Sequence, residues 1–239
     1  MTNLPVPPNL TIQEALDLGV QHHNAGRLLD AEAIYQQILI VTSDQPVALR
    51  LLGTVAHQLG KNDHAIDLMM KAIAINPGDA EALNNLGLIL RELGRLDEAV
   101  ARYNEALAIR ADYAEAHYNL GVVFADLGAL EEAVASYGNA LNIKSDYVEA
   151  YTNLGLALRK LGQLDAAVAS CRSALAITPD LAPAHFILSI ALLMHASSSV
   201  QCARNRHTQT ENAKQCGELP LRSLAHLLCP TPLRCGEAG

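Results

Sequence analysis

Apolar residues in this chain recur at helical spacing in short runs, and the runs come in pairs. Leu83, Leu86, Gly87 and Leu90 fall three, four and seven apart, the spacing of one helix face. Gly94 follows as a stop signal, and a second run with the same spacing begins: Ala99, Tyr103, Ala106 and Leu107. The pattern predicts a helical hairpin, and nothing in the chain reads convincingly as a strand.

The hairpin repeats. Gly19, Gly53, Gly87, Gly121 and Gly155 are each 34 residues apart, and so are Gly26, Gly60, Gly94, Gly128 and Gly162. Ala31, Ala65, Ala99, Ala133 and Ala167 form a third register. Leu18, Leu52, Leu86, Leu120, Leu154 and Leu188 form a fourth. Chance does not align four such series, and a fixed period of this length is the signature of a stacked array. Units are predicted at 12–45, 46–79, 80–113, 114–147 and 148–181, with a half unit at 182–195. An arm precedes them at 1–11 and a different segment follows at 196–239. Glycine at the eighth place of the unit and alanine at the twentieth let two helices approach closely. A large side chain at either place would force the pair apart. Thr11 with Glu14, Asp112 with Glu115, and Asp146 with Glu149 have capping-box spacing. Pro77 and Pro179 fall between units, where proline removes no helical hydrogen bond.

These residues resemble the tetratricopeptide repeat over about 12–181, with the half unit continuing the likeness to about 195. The place that is often Trp in that family is Ala15, Leu49, Leu83, His117 and Tyr151 here. The first unit is the weakest match, with Ile38 where alanine is usual. The resemblance implies an all-α, right-handed superhelical solenoid of antiparallel helix pairs, with the first helix of each pair lining a concave surface.

Places 2, 5, 6, 9, 12 and 13 share one face of that first helix. Place 6 gives Asn85, Asn119 and Asn153; place 5 gives Arg50, Asn84, Tyr118 and Thr152; place 12 gives His57, Arg91, Ala125 and Arg159; Lys160 stands at place 13. The groove is expected to be mixed and polar rather than an apolar slot. Candidate peptide-binding residues are Arg50, Asn84, Asn85, Arg91, Tyr118, Asn119, Asn153 and Arg159. An asparagine amide donates and accepts, so it can pair with a peptide backbone. An extended peptide rises about 3.3 Å per residue, so each repeat would meet roughly three residues. The asparagine series is similar to the ladder in the repeat region of O-linked N-acetylglucosamine transferases, which implies an extended peptide held by its backbone. The same asparagines are also common in repeats of many functions. Glu81, Glu115 and Glu149 at place 2 would favour basic partners or simply complement helix dipoles.

Composition adds exclusions. The chain has 239 residues and a formal charge of −8, which argues against a nucleic-acid backbone binder. Its longest apolar run, Phe186 to Met194, is about half a membrane span. The start, MTNLPVPPNLT, lacks a basic stretch leading into an apolar one, so a cytoplasmic location is expected. Gly60-Lys61 lacks the P-loop frame, and no nucleophile turn is present. Adjacent His22 and His23 diverge by about 100° on a helix. No close cysteine pair suggests zinc. Neither cofactor nor metal is expected.

Residues 196–239 hold four of the five cysteines and a net charge of +2, against −10 for residues 1–195. Two accounts fit this shift. Leu219 to Leu228 folds back as a covering helix, or the natural continuation is replaced by a foreign or frameshifted sequence. The half unit, over about 15 residues, resembles the junction where such repeats precede a bacterial nucleotide-sugar glycosyltransferase domain. The leading expectation is a non-enzymatic scaffold that binds peptide segments of partner proteins. The alternative is the truncated substrate-recruiting region of an O-GlcNAc transferase-like enzyme lacking its catalytic domain. The apolar half unit also offers a route to self-association.

Overall fold

The structure, a computed structural model, describes residues 10–196. The arm before residue 10 and nearly all of the tail, including the Leu219–Leu228 segment and four cysteines, lie outside the described residues. The chain divides into two units, Met1–Leu192 and Leu193–Gly239. Of the second, only residues 193–196 are described, and they are helical.

The first unit is a run of helices: α1 (Ile12–Asn24), α2 (Leu28–Val41), α3 (Pro46–Gln58), α4 (Asn62–Ile75), α5 (Ala80–Glu92), α6 (Leu96–Ile109), α7 (Ala114–Leu127), α8 (Leu130–Ile143), α9 (Val148–Lys160) and α10 (Leu164–Ile177). An eleventh helical stretch, α11, occupies 182–196. No strand occurs among the described residues. Each helix packs on its neighbours in sequence, and α3, α5, α7 and α9 also touch along their own row. The result is the all-helical solenoid of hairpins, with the odd-numbered helices forming one continuous wall.

A single contact recurs in each hairpin. The glycine at place 8 lies under the side chain at place 24, sixteen residues on. A Cβ added at Gly87 would stand 2.8 Å from the Tyr103 ring, and one at Gly121 would stand 2.7 Å from Tyr137. At Gly155 the obstacle is Cys171 Sγ, also at 2.7 Å, and at Gly53 it is the Met69 methyl at 3.0 Å. The alanines at place 20 are all fully buried, as are Tyr35, Met69, Tyr103 and Cys171. The alanine thus admits the second helix, and the glycine's partner is the side chain one turn beyond it.

The second glycine of each unit has another cause. Gly26, Gly60, Gly94, Gly128 and Gly162 have φ between 72° and 79°, the left-handed region that glycine enters without penalty. Beyond each, a backbone N–H reaches back five residues, as Arg95 N–H does to the Leu90 carbonyl and Ala129 N–H to Phe124. These bonds close a Schellman turn, which satisfies the helix's last carbonyls while the chain reverses.

The helix starts differ from expectation at two points. Thr11 and Glu14 do form a capping box, and the place holding Thr11 is the N-cap of every odd helix. At that place Gln45 accepts from Ala48 N–H, and Asp79 from Glu81 and Ala82 N–H. In the next two units the same place is Tyr113 and Tyr147, which make no side-chain cap bond. Asp112 and Asp146 stand one residue too early to cap. The tyrosines instead lie under cations, Arg110 at 4.0 Å and Lys144 at 4.8 Å from the ring centroids. α11 buries Ala184, Ile187 and Ala191 but leaves Phe186 66% exposed, because no following helix of the first unit covers it.

The glycine contact predicts opposite signs for one substitution. Gly121→Ala meets the Tyr137 ring and should cost about 1–3 kcal/mol. Gly138→Ala, on α8 with nothing within 4 Å of its Cβ, should gain about 0.5–1 kcal/mol. Thermal melts of the two variants should shift in opposite directions, and a common direction would refute the assignment.

Burial also sets a pH limit. It pushes the Tyr35 phenol up to about 12, against a weak pull downward from Arg50, and pushes Tyr103 and Tyr137 higher still. In the unfolded chain these groups ionise near pH 10. The fold therefore holds its phenol protons longer, and its stability, complete below about pH 10, falls as pH rises past that value. Tyrosinate absorbance and loss of helix should rise together in an alkaline titration. Early ionisation of these rings with helix intact would contradict the burial.

Candidate peptide-binding face

The odd helices carry the eight candidate residues, and most are already engaged with the neighbouring repeat. Arg50 Nε donates to Asp79 at 3.1 Å, and its Nη1 pairs with Glu81 at 2.8 Å. Asn85 Nδ2 donates to Thr54 Oγ1 at 3.3 Å, Asn119 Nδ2 to Asn84 Oδ1 at 3.0 Å, and Asn153 Nδ2 to Tyr118 Oη at 3.1 Å. Each asparagine therefore uses one donor as a strut to the preceding repeat; Asn85 and Asn119 keep the other N–H and the carbonyl, whereas Asn153 also donates to the Tyr137 phenol and keeps its carbonyl.

Asn84 departs from its expected role. It is fully buried, donates to Glu115 at 3.3 Å and accepts from Asn119. One place earlier than the strut series, its side chain turns into the seam between α5 and α7 instead of lining the wall. Of the place-2 glutamates, Glu81 engages Arg50 and Arg110, and Glu115 engages Asn84; Glu149 is exposed. Two of the three are tied into the array.

A second series runs along the rim, joining place 12 of one unit to place 13 of the next, 35 residues on. His23 Nε2 meets Gln58 Oε1 at 2.9 Å, His57 Nε2 meets Glu92 at 3.3 Å, and Arg91 Nε donates to Asp126 at 2.8 Å. These are part-exposed pairs, each contributing at most about 1 kcal/mol.

Arg91 and Asn153 also meet at a cavity of about 270 Å³, open on the wall where α7, α8 and α9 converge. Its lining includes the apolar Val122, Ala125, Leu130, Leu156 and Ala157. Asp126, Tyr137 and Lys160 complete the polar part with Arg91 and Asn153. Places 9 and 12 contribute Val122, Leu156 and Ala125 here, which open an apolar notch in the wall. Tyr118 stands beside it, its ring 5.9 Å from that of Tyr137 and 4.9 Å from that of Tyr147. Burial raises the Tyr118 and Tyr137 phenols, so both act as neutral hydroxyls. Tyr137 was not legible as a wall residue from helix-face counting, because it comes from the second helix of its pair. Asp126, at place 13, lies on the counted face, but its pairing with Arg91 needed the 35-residue offset. Among the described residues no group of acids, histidines and cysteines has metal-site geometry. No described helix is long and apolar enough to cross a membrane.

Comparison with known proteins agrees with this architecture. Models of the tetratricopeptide repeat match at 16–80, 68–101 and 148–181, and a TPR repeat model matches at 87–128 and 123–162. No curated protein sequence matches the chain. Among solved structures, the chain is similar to MamA, with 27% identity, a TM-score of 0.60, and 66% of this chain and 93% of that one covered. It is similar to TTC0263, a thermophilic TPR protein of Thermus thermophilus, with 26% identity, a TM-score of 0.62, and 77% and 100% covered. YrrB, described as a TPR protein with an unusual peptide-binding site, shares the fold at 21% identity, with a TM-score of 0.58 and 72% and 89% covered.

The seam role of Asn84 is testable by Asn84→Ala, which strands donors and acceptors on Asn119 and Glu115. It should lower stability by about 1–3 kcal/mol in denaturant melts. A neutral result would return Asn84 to the set of free wall residues.

Proposed function

We propose that this chain, which belongs to the tetratricopeptide-repeat proteins, is a non-enzymatic scaffold that holds an extended segment of a partner protein against its odd-helix wall. The observation that carries this reading is the notch at α7, α8 and α9. It combines an apolar floor that accepts one side chain with Asn153, whose amide donates to the Tyr118 and Tyr137 phenols and whose carbonyl is left for a peptide N–H. Asn119 presents a second N–H and a carbonyl one repeat earlier. Extended backbone needs an acceptor and a donor at intervals, and the repeat supplies them with its own period.

The struts give this wall a fixed geometry before any partner arrives. Preorganisation of this kind reduces the ordering cost of association, so a modest contact area suffices for specific capture. MamA and TTC0263 are repeat proteins of the same kind, and the shared architecture supports a role in protein interaction.

The test is selection of random displayed peptides on the purified full chain. Binders should emerge that compete with one another, and Ala125→Trp, which fills the notch, should remove them without changing the melting curve. Absence of binders above background, or binders indifferent to Ala125→Trp, would overturn the reading.

A further inference from the structure

The rim series breaks at its last two rungs. Place 12 is His23, His57 and Arg91 in the first three units, and each meets a polar group 35 residues on, at Gln58, Glu92 and Asp126. In the fourth unit place 12 is Ala125, so Lys160, 35 residues on, has no counterpart. In the fifth, place 12 is Arg159, and the residue 35 further along is Met194, which carries no carboxylate. Arg159 Nε is buried and meets no acceptor. Arg91, two units earlier at the same place, has its Nε bonded at 2.8 Å. Two successive cations, Arg159 and Lys160, therefore lack the partners that the array gives their equivalents.

Lys160 lines the notch, and Arg91 lines it as well. Asp126, the notch's own carboxylate, is held by Arg91 at 2.8 Å. The local balance of Arg91, Asp126, Arg159 and Lys160 is positive, on a chain whose net charge is −8. At physiological salt, charges beyond about 8 Å are largely screened. Contact chemistry therefore outweighs the chain's overall acidity at this end of the wall. The exposed Lys160 ammonium, on the notch lining, is the cation that an arriving carboxylate meets.

From this geometry we infer that the C-terminal end of the wall selects an acidic peptide segment, one presenting an Asp or Glu side chain beside an aliphatic residue. The carboxylate takes the vacant acceptor role opposite Lys160, and the aliphatic side chain occupies the notch over Leu156 and Ala157. This rests on the peptide-binding reading and adds to it the chemistry of the partner.

The experiment uses the peptides selected on the full chain, resynthesised with amidated C-termini so that side chains supply the only carboxylates. The selected set should be enriched in an acidic residue next to Leu, Ile or Val. Exchange of that acid for its amide should weaken binding about tenfold or more, the scale of a charge-assisted hydrogen bond. Lys160→Gln should produce the same loss without shifting the melting temperature. Ala125→Glu, which restores a carboxylate opposite Lys160, should also abolish preference for the acid while keeping the chain folded. Peptides that bind the wall, are lost with Ala125→Trp and ignore these charge changes would overturn this inference and leave the scaffold reading standing. Failure to select any peptide removes both. Binding of free-acid peptides alone would assign the cations to a C-terminal carboxylate and likewise overturn the side-chain assignment.

Discussion

Four times along this chain a glycine occupies a place where even a methyl group collides, and at a fifth, Gly53, one would crowd the Met69 methyl; everything else in the array follows from that approach. With Gly87 against the Tyr103 ring and Gly121 against Tyr137, the two helices of a hairpin lie closer than ordinary side chains permit. The alanines at place 20 let the second helix settle, and the ring fills the remaining space. The contact is tolerant of chemistry but strict about shape: Met69 and Cys171 replace the ring in two units, and the glycine stays. A hairpin so thin buries too little to stand alone, so it must stack, and stacking produces the wall.

Stacking also determines what the wall does with its polar groups. Neighbouring hairpins present place 6 against place 5 or 9 of the previous unit, and place 12 against place 13 of the next. Asparagine, histidine and arginine at these places first find one another. A wall residue is therefore connector and candidate ligand group at once, and the share of each role depends on how many of its donors the neighbour takes. Asn84 gives its amide to the seam. Asn153 gives its amide to Tyr118 and Tyr137 and keeps its carbonyl. Arg159 gives its Nε to nothing.

Much of this was legible in the sequence, for physical reasons that also mark where legibility stopped. The hairpins could be read because period and helical spacing are properties of a single helix and its turn. Gly94 and Gly128 could be read as stops because only glycine enters a left-handed turn freely. The caps at Asp112 and Asp146 were misplaced by one residue, since spacing alone does not say which of two adjacent residues is the N-cap; Tyr113 and Tyr147 occupy it without capping. Face counting placed Asn119, Asn153, Arg91 and Arg159 on the wall, yet it could not say which donors were already taken. That depends on contacts 31 or 35 residues apart, and on whether the far residue, as Asp126 does for Arg91, can accept. The apolar notch was hidden for the same reason: Tyr137 reaches it from a different helix.

The break in the rim series shows why binding chemistry collects where it does. In a stack whose units touch only their neighbours, a change at place 12 or 13 alters one rung and leaves the others intact. The constant residues, Gly and Ala at places 8 and 20, cannot vary without opening the hairpin, so variation is confined to the wall. Any unit whose neighbour stops supplying a counterpart acquires unpaired donors at no cost to the rest of the array. The last complete unit is such a place by construction, because the half unit that follows carries Phe186, Ile187 and Met194 where polar wall residues stand elsewhere. Unsatisfied cations, an apolar notch and a rigid frame are brought together there by the same repetition that elsewhere cancels charge against charge.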